Sequence, residues 1–172
     1  MSINPYFFIM FFLLSLNLTA QVFTFTSNHQ DQEIIHKVLM DSDYLIETRY
    51  NSDSNVFVGT RGGFYQKKDE GFDVRLEFNS NFAKDSLKRI VLVPRGWKNS
   101  SLDKQIHHGK WLMAGRVRPE GEKRRNINGP RKTLKFLLDG HFQWTAFNTE
   151  SFKFFGSGGG TYSAKNGNYT ES

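Results

Sequence analysis

Asn51-Ser-Asp-Ser-Asn-Val-Phe-Val-Gly-Thr-Arg-Gly-Gly-Phe-Tyr65 lies over Asn148-Thr-Glu-Ser-Phe-Lys-Phe-Phe-Gly-Ser-Gly-Gly-Gly-Thr-Tyr162 at an offset of 97 residues. Seven of the fifteen pairs are identical, three of them glycines, which marks an internal repeat. A period of this length belongs to a small domain and exceeds any solenoid turn. Upstream the likeness continues at an offset of 98: Leu39-Met40-Asp41 over Leu137-Leu138-Asp139, and Tyr44, Ile46 and Thr48 over Phe142, Trp144 and Ala146. The change of one residue between two strand-like runs predicts a β-bulge or an altered turn.

Working outward, the repeated unit reads as β-meander. Phe142, Trp144 and Ala146 alternate with Gln143 and Thr145, which puts the large side chains on one face. Each such run ends in a polar turn, Asn51 to Ser54 or Asn148 to Ser151, and a second aromatic strand follows. Further strands are expected at Phe72 to Phe78, Lys88 to Val93, Trp111 to Val117 and Thr133 to Leu138. Only Gln32 to Met40, with Ile34, Ile35, Val38 and Leu39 at three- and four-residue spacings, predicts a helix. The sum is an all-β chain of about nine short strands, a barrel or sandwich and not an α/β fold.

Composition agrees and excludes several classes. Of 172 residues 15% are aromatic, too many for a disordered chain. The absence of Cys removes disulfide scaffolds, thiolate zinc sites, cysteine nucleophiles and a lipoprotein anchor. Residues 1–20 carry the apolar run Tyr6 to Leu16 followed by Asn17-Leu18-Thr19-Ala20, the size of a signal-peptide core and short of a membrane span. This predicts an exported protein, periplasmic or secreted; the alternative is membrane association through an uncleaved N-terminal helix.

Gly109-Lys110-Trp111 stands at the start of an apolar strand. Gly-x-Trp at that place resembles the opening motif of lipocalin (calycin) barrels, in which the Trp plugs one end. The block Thr133 to Glu171, with Phe142-Gln-Trp-Thr-Ala-Phe-Asn-Thr-Glu150 and Phe155-Gly-Ser-Gly-Gly-Gly-Thr-Tyr162, is similar to a family of uncharacterised bacterial membrane or secreted proteins with lipocalin-like domains. The resemblance implies an antiparallel lipocalin-like barrel, or a strongly curved sheet, built from two incomplete copies after the signal helix. Residues 21–106 form the first copy, which lacks a Gly-x-Trp opening strand, and 107–172 the front half of the second. The chain then reads either as a truncated member or as one composite barrel, with one imperfectly closed sheet preferred because unpaired edges are aggregation templates.

Gly156-Ser-Gly-Gly-Gly160 lacks the Lys-Ser/Thr ending of a P-loop, so its glycines are read as a bulge or a close backbone approach. The net charge of +6 is concentrated in Arg116, Arg118, Lys123, Arg124, Arg125, Arg131, Lys132 and Lys135, against Glu120 and Glu122. That segment reads as a solvated loop or as a patch for an anionic envelope surface. Export and the lack of aromatics within it argue against nucleic acid. No His-x-His, His-Glu-x-x-His or Gly-x-Ser-x-Gly occurs, so no catalytic residue, metal or cofactor is expected. Two functions follow: a non-enzymatic barrel whose Trp111, Phe142, Trp144, Tyr44 and Ile46 fill a solid core or line a cavity for a small apolar ligand, or an envelope-associated protein acting through the basic segment.

Overall fold

The computed structural model describes residues 21–172; the expected signal segment lies outside them. The strands are β1 (Gln21–His29), β2 (Gln32–Met40), β3 (Tyr44–Asn51), β4 (Phe57–Lys68), β5 (Gly71–Asn79), β6 (Arg89–Leu92), β7 (Lys98–Asn99), β8 (Gly109–Leu112), β9 (Gly115–Arg118), β10 (Gly121–Arg124), β11 (Arg131–Leu138), β12 (His141–Asn148), β13 (Phe154–Lys165) and β14 (Asn168–Glu171). One short helix, α1 (Phe82–Asp85), follows β5. The protein is therefore all-β and antiparallel, as the alternation predicts, with fourteen described strands where about nine were expected. They form three sheets, ordered β6-β5-β4-β3-β2-β1-β7, β14-β13-β12-β11-β8 and β10-β9, and none closes into a barrel. The expected single composite sheet is thus corrected: the second half of the chain does not extend the first sheet but packs against it.

The first sheet is a meander that curls on itself. The Trp97 ring lies 5.3 and 5.5 Å from Phe23 and Phe25 of β1 and 5.6 Å from Phe72 of β5. Those strands are four places apart, about 19 Å in a flat sheet, so one indole touches both only because the sheet bends round it. Val93 to Trp97 join β6 to β7, the two edges. Inside the curl lie Val38, Met40, Leu45, Tyr65, Phe72, Val74, Leu76 and Leu92. Its other end is polar, with Ser27, His36, Glu47 and Arg61 joined side by side across four strands.

The outer face of this sheet meets the second. Val22, Leu39, Tyr44, Ile46 and Phe78 pack on Leu134, Phe136, Leu138 and Phe147. Phe78 and Phe147 sit 4.7 Å apart, and Tyr44 meets Phe136 edge-on at 5.9 Å. Polar ties flank this core. Lys37 donates to His141 Nδ1 and His141 Nε2–H donates to the Ser100 carbonyl, each at 2.9 Å. Lys110 reaches Asp43 at 2.6 Å.

β2 replaces the expected helix. It is buried on both faces, Leu39 toward the second sheet and Val38 and Met40 toward the curl, so its apolar residues run together and mimic helical spacing. β1, which carries no Gly-x-Trp, pairs with β2 along nine residues and fills the place expected to be empty; β8 pairs with β11 in the same way.

The pairing also corrects the offset of 98. Leu45 opposes Met40 and Gly63; Phe142 opposes Leu137 and Gly160. The hairpins therefore correspond at 97 throughout, with a bulge at the same place in each, between Arg49 and Tyr50 and between Ala146 and Phe147. Asn51 Oδ1 accepts from the amides of Asp53 and Ser54, and Asn148 Oδ1 from those of Glu150 and Ser151, all at 2.9–3.1 Å. Leu45 and Glu47, not Tyr44 and Ile46, are the counterparts of Phe142 and Trp144.

Candidate functional site

The face of the second sheet turned away from the first carries Leu137, Phe142, Trp144, Tyr162 and Ala164. One end of it is packed, and Phe142 is buried there. The other end opens into a cleft of about 640 Å³ lined by Trp111, Leu112, Met113, Arg116, Arg125, Arg131, Thr133, Lys135, Trp144, Ala146 and Glu171. Its volume suits a small organic ligand.

Three strands supply the floor. Trp111 on β8 opposes Lys135 on β11, which opposes Trp144 on β12. Trp144 lies over the glycines of β13: a Cβ on Gly158 would stand 2.6 Å from the indole Nε1, and one on Gly156 3.5 Å from Cη2. The glycine run thus makes room for a ring, in keeping with close backbone approach. Trp111 is 52% exposed and plugs no barrel end. Its indole N–H donates to the His107 carbonyl at 2.9 Å, which tethers the ring to the chain that leads into the edge strand.

The walls are cationic. The Met113 amide, donating to the Thr133 carbonyl at 2.9 Å, ties the base of the β9–β10 hairpin to β11, and the Arg125 amide closes that base on the Ala114 carbonyl at 2.7 Å. This brings Arg116 and Arg125 in from the hairpin, Arg131 and Lys135 from β11. Lys135 is paired with Glu171, whose carboxyl burial would raise but hydrogen bonds from Lys135 and Tyr169 bring below its ordinary value. Arg116, Arg125 and Arg131 have no described carboxylate within ion-pair distance. Arg131 lies 4.0 Å over the Phe155 ring, and Arg125 reaches the Thr133 hydroxyl at 3.4 Å.

The sequence-predicted residues divide accordingly. Trp111 and Trp144 line the cleft; Phe142 supports it from the packed end. Tyr44 and Ile46 fill the core between the two sheets, the first of the two expected roles, and do not line the cleft. Of the basic segment, Arg116, Arg125, Arg131 and Lys135 face the cleft. Arg118 and Lys123 remain on the hairpin, Arg124 pairs with Glu122 at 2.9 Å, and Lys132 donates to the Ile127 carbonyl at 2.6 Å. The expected loop is therefore a two-stranded sheet. Met113, Thr133 and Glu171 were missed: Met113 and Thr133 are joined only by the β8–β11 ladder, and Glu171 meets Lys135, 36 residues away in sequence, only in the fold. Among the described residues no group of three His, Asp or Glu could hold a metal, and no helix is long and apolar enough to cross a membrane. No family model, curated protein or solved structure matches the chain.

Proposed function

We propose that the protein binds a small apolar ligand bearing an anionic group in the cleft of the second sheet. The observation that supports this reading is the convergence of two indoles with three guanidinium groups lacking a carboxylate partner. Flat apolar surface takes up a hydrocarbon or ring, and Arg forks bind carboxylate, sulfate or phosphate bidentately. The apolar-ligand and anionic-partner expectations thus become two halves of one ligand. The lipocalin-like resemblance and the N-terminal run support an exported binding protein, placed in the periplasm or outside the cell.

The test is a tryptophan-fluorescence titration with dodecanoate and with dodecanol, in the native protein and in Arg131→Ala. Dodecanoate should quench or shift the emission, dodecanol should act more weakly, and Arg131→Ala should weaken dodecanoate alone. No response to either, or equal responses that ignore the substitution, overturns the proposal.

A second reading is contact with an anionic membrane surface through the β9–β10 hairpin. It is favoured by Val117, 82% exposed between Arg116 and Arg118. Sedimentation with anionic vesicles at low and high salt tests it, and absent or salt-independent binding rules it out.

A further inference from the structure

The polar end of the curled first sheet holds a second arrangement, remote from the tryptophan cleft. Ser27 on β1, His36 on β2 and Glu47 on β3 occupy the same face of three adjacent strands. Ser27 Oγ is 2.7 Å from His36 Nε2, and His36 Nδ1 is 2.7 Å from Glu47 Oε1. An ionised carboxylate only accepts, so Nδ1–H donates to Glu47; in the neutral form of the ring, the form a general base requires, Nε2 is left to accept the Ser27 hydroxyl proton. We infer that Ser27, His36 and Glu47 form a nucleophile–base–carboxylate relay capable of acyl transfer from a carboxylic ester.

Each member has the surroundings its role needs. Ser27 is solvent-exposed and open to a substrate. His36 is buried and its ring is clamped by Phe25, stacked at 4.2 Å. Glu47 is fully buried; Arg61 Nε donates to its second oxygen at 2.5 Å. Burial alone would raise the Glu47 carboxyl, but the His36 and Arg61 bonds outweigh it and hold the group below its ordinary value, hence ionised. Glu47 is a positioning residue: it sets the tautomer and ring angle of His36.

Backbone donors are also at hand. The Ser100 amide donates to the Val22 carbonyl at 2.8 Å, so even-numbered residues of β1 turn their peptide groups toward β7. β7 pairs no further along β1 than Thr24, which leaves the amides of Thr26 and Asn28, either side of Ser27, facing the open edge.

The step balances with water as co-reactant. Ser27 Oγ bonds the carbonyl carbon while its proton passes to Nε2. The ester C–O bond then breaks, and the alcohol leaves with that proton. Water attacks the acyl-serine, returns a proton through Nε2 to Oγ, and releases the carboxylic acid.

A fluorophosphonate probe and p-nitrophenyl acetate test the inference. The probe should phosphonylate Ser27, located by peptide mass spectrometry, and Ser27→Ala should lower p-nitrophenyl acetate turnover about 10²-fold or more. Ser27 is exposed, so the circular dichroism of Ser27→Ala should match the native chain. The charged groups facing the imidazole side of the curl are Glu47, Arg61 and Arg49. Glu47→Gln removes the only anion among them, so the midpoint of the pH–rate profile should move to lower pH, which a purely structural role would not cause. Label on other serines but not Ser27, or a folded Ser27→Ala turning over at the native rate, overturns the inference.

Discussion

Replacing Glu47 by alanine should destabilise the first sheet strongly, because it deletes a buried and paired charge. The carboxylate is fully buried, accepts from His36 at 2.7 Å and from Arg61 at 2.5 Å, and compensates an Arg61 side chain that is only 15% exposed. Removing it strands a guanidinium and an imidazole N–H away from water. Breaking a buried pair by deleting one partner costs about 3–5 kcal/mol. Small domains have about 5–15 kcal/mol in all. For a domain of this size each kcal/mol moves the midpoint by about 2–4 °C, so the melting temperature should fall by about 6–20 °C. Urea unfolding followed by tryptophan emission reads the same quantity, with Glu47→Gln as a control that keeps an acceptor and should lose less. A Glu47→Ala loss under about 1 kcal/mol would refute the reasoning, because a solvated pair costs that little.

Three further outcomes follow from named contacts. Gly158→Ala puts a methyl 2.6 Å from the Trp144 indole and should displace the ring, red-shift the emission and weaken dodecanoate about tenfold, the equivalent of about 1.4 kcal/mol; unchanged affinity would detach Trp144 from the site. Gly63→Ala drives a Cβ into the Arg75 carbonyl of the neighbouring strand, where no side chain can yield, and should lower stability by about 1–3 kcal/mol in urea titrations. Burial, then the Lys37 ammonium, hold His141 below the ordinary imidazole value despite carbonyl bonds from Ser100 and Gly160 and the Asp139 charge. A depressed folded pKa means its contribution is complete above the unfolded value of about 6.5 and is lost as the pH falls from there toward the folded value. The native chain should therefore lose more stability than His141→Gln between pH 7 and 5, and parallel curves would contradict this.

Turn chemistry and strand alternation were legible in the sequence. Asn51 and Asn148, each heading a polar turn, accept the same two amides that such Asn turns use. Phe142, Trp144 and Ala146 share the face their spacing assigns. The pairing of Tyr44 and Ile46 with Phe142 and Trp144 failed because size was matched where register decides. A slip of one residue sends every side chain to the other face, and the true counterpart of Trp144 is Glu47, a residue of opposite chemistry. β2 was hidden because a strand buried on both faces does not alternate. The cleft was half legible: its tryptophans and its arginines stood out separately, but only the β8–β11–β12 ladder and the hairpin tied to β11 at Thr133 bring them together. Ser27, His36 and Glu47 lie nine and eleven residues apart, and nothing but the β1-β2-β3 register aligns them.

The most direct test of the binding account is a calorimetric titration comparing dodecanoate with dodecyltrimethylammonium, two ligands of one chain length and opposite charge. The cleft with its three guanidinium groups predicts one-to-one binding of dodecanoate, weakened by salt, and none of the ammonium. Equal binding of both, or of neither, would contradict it.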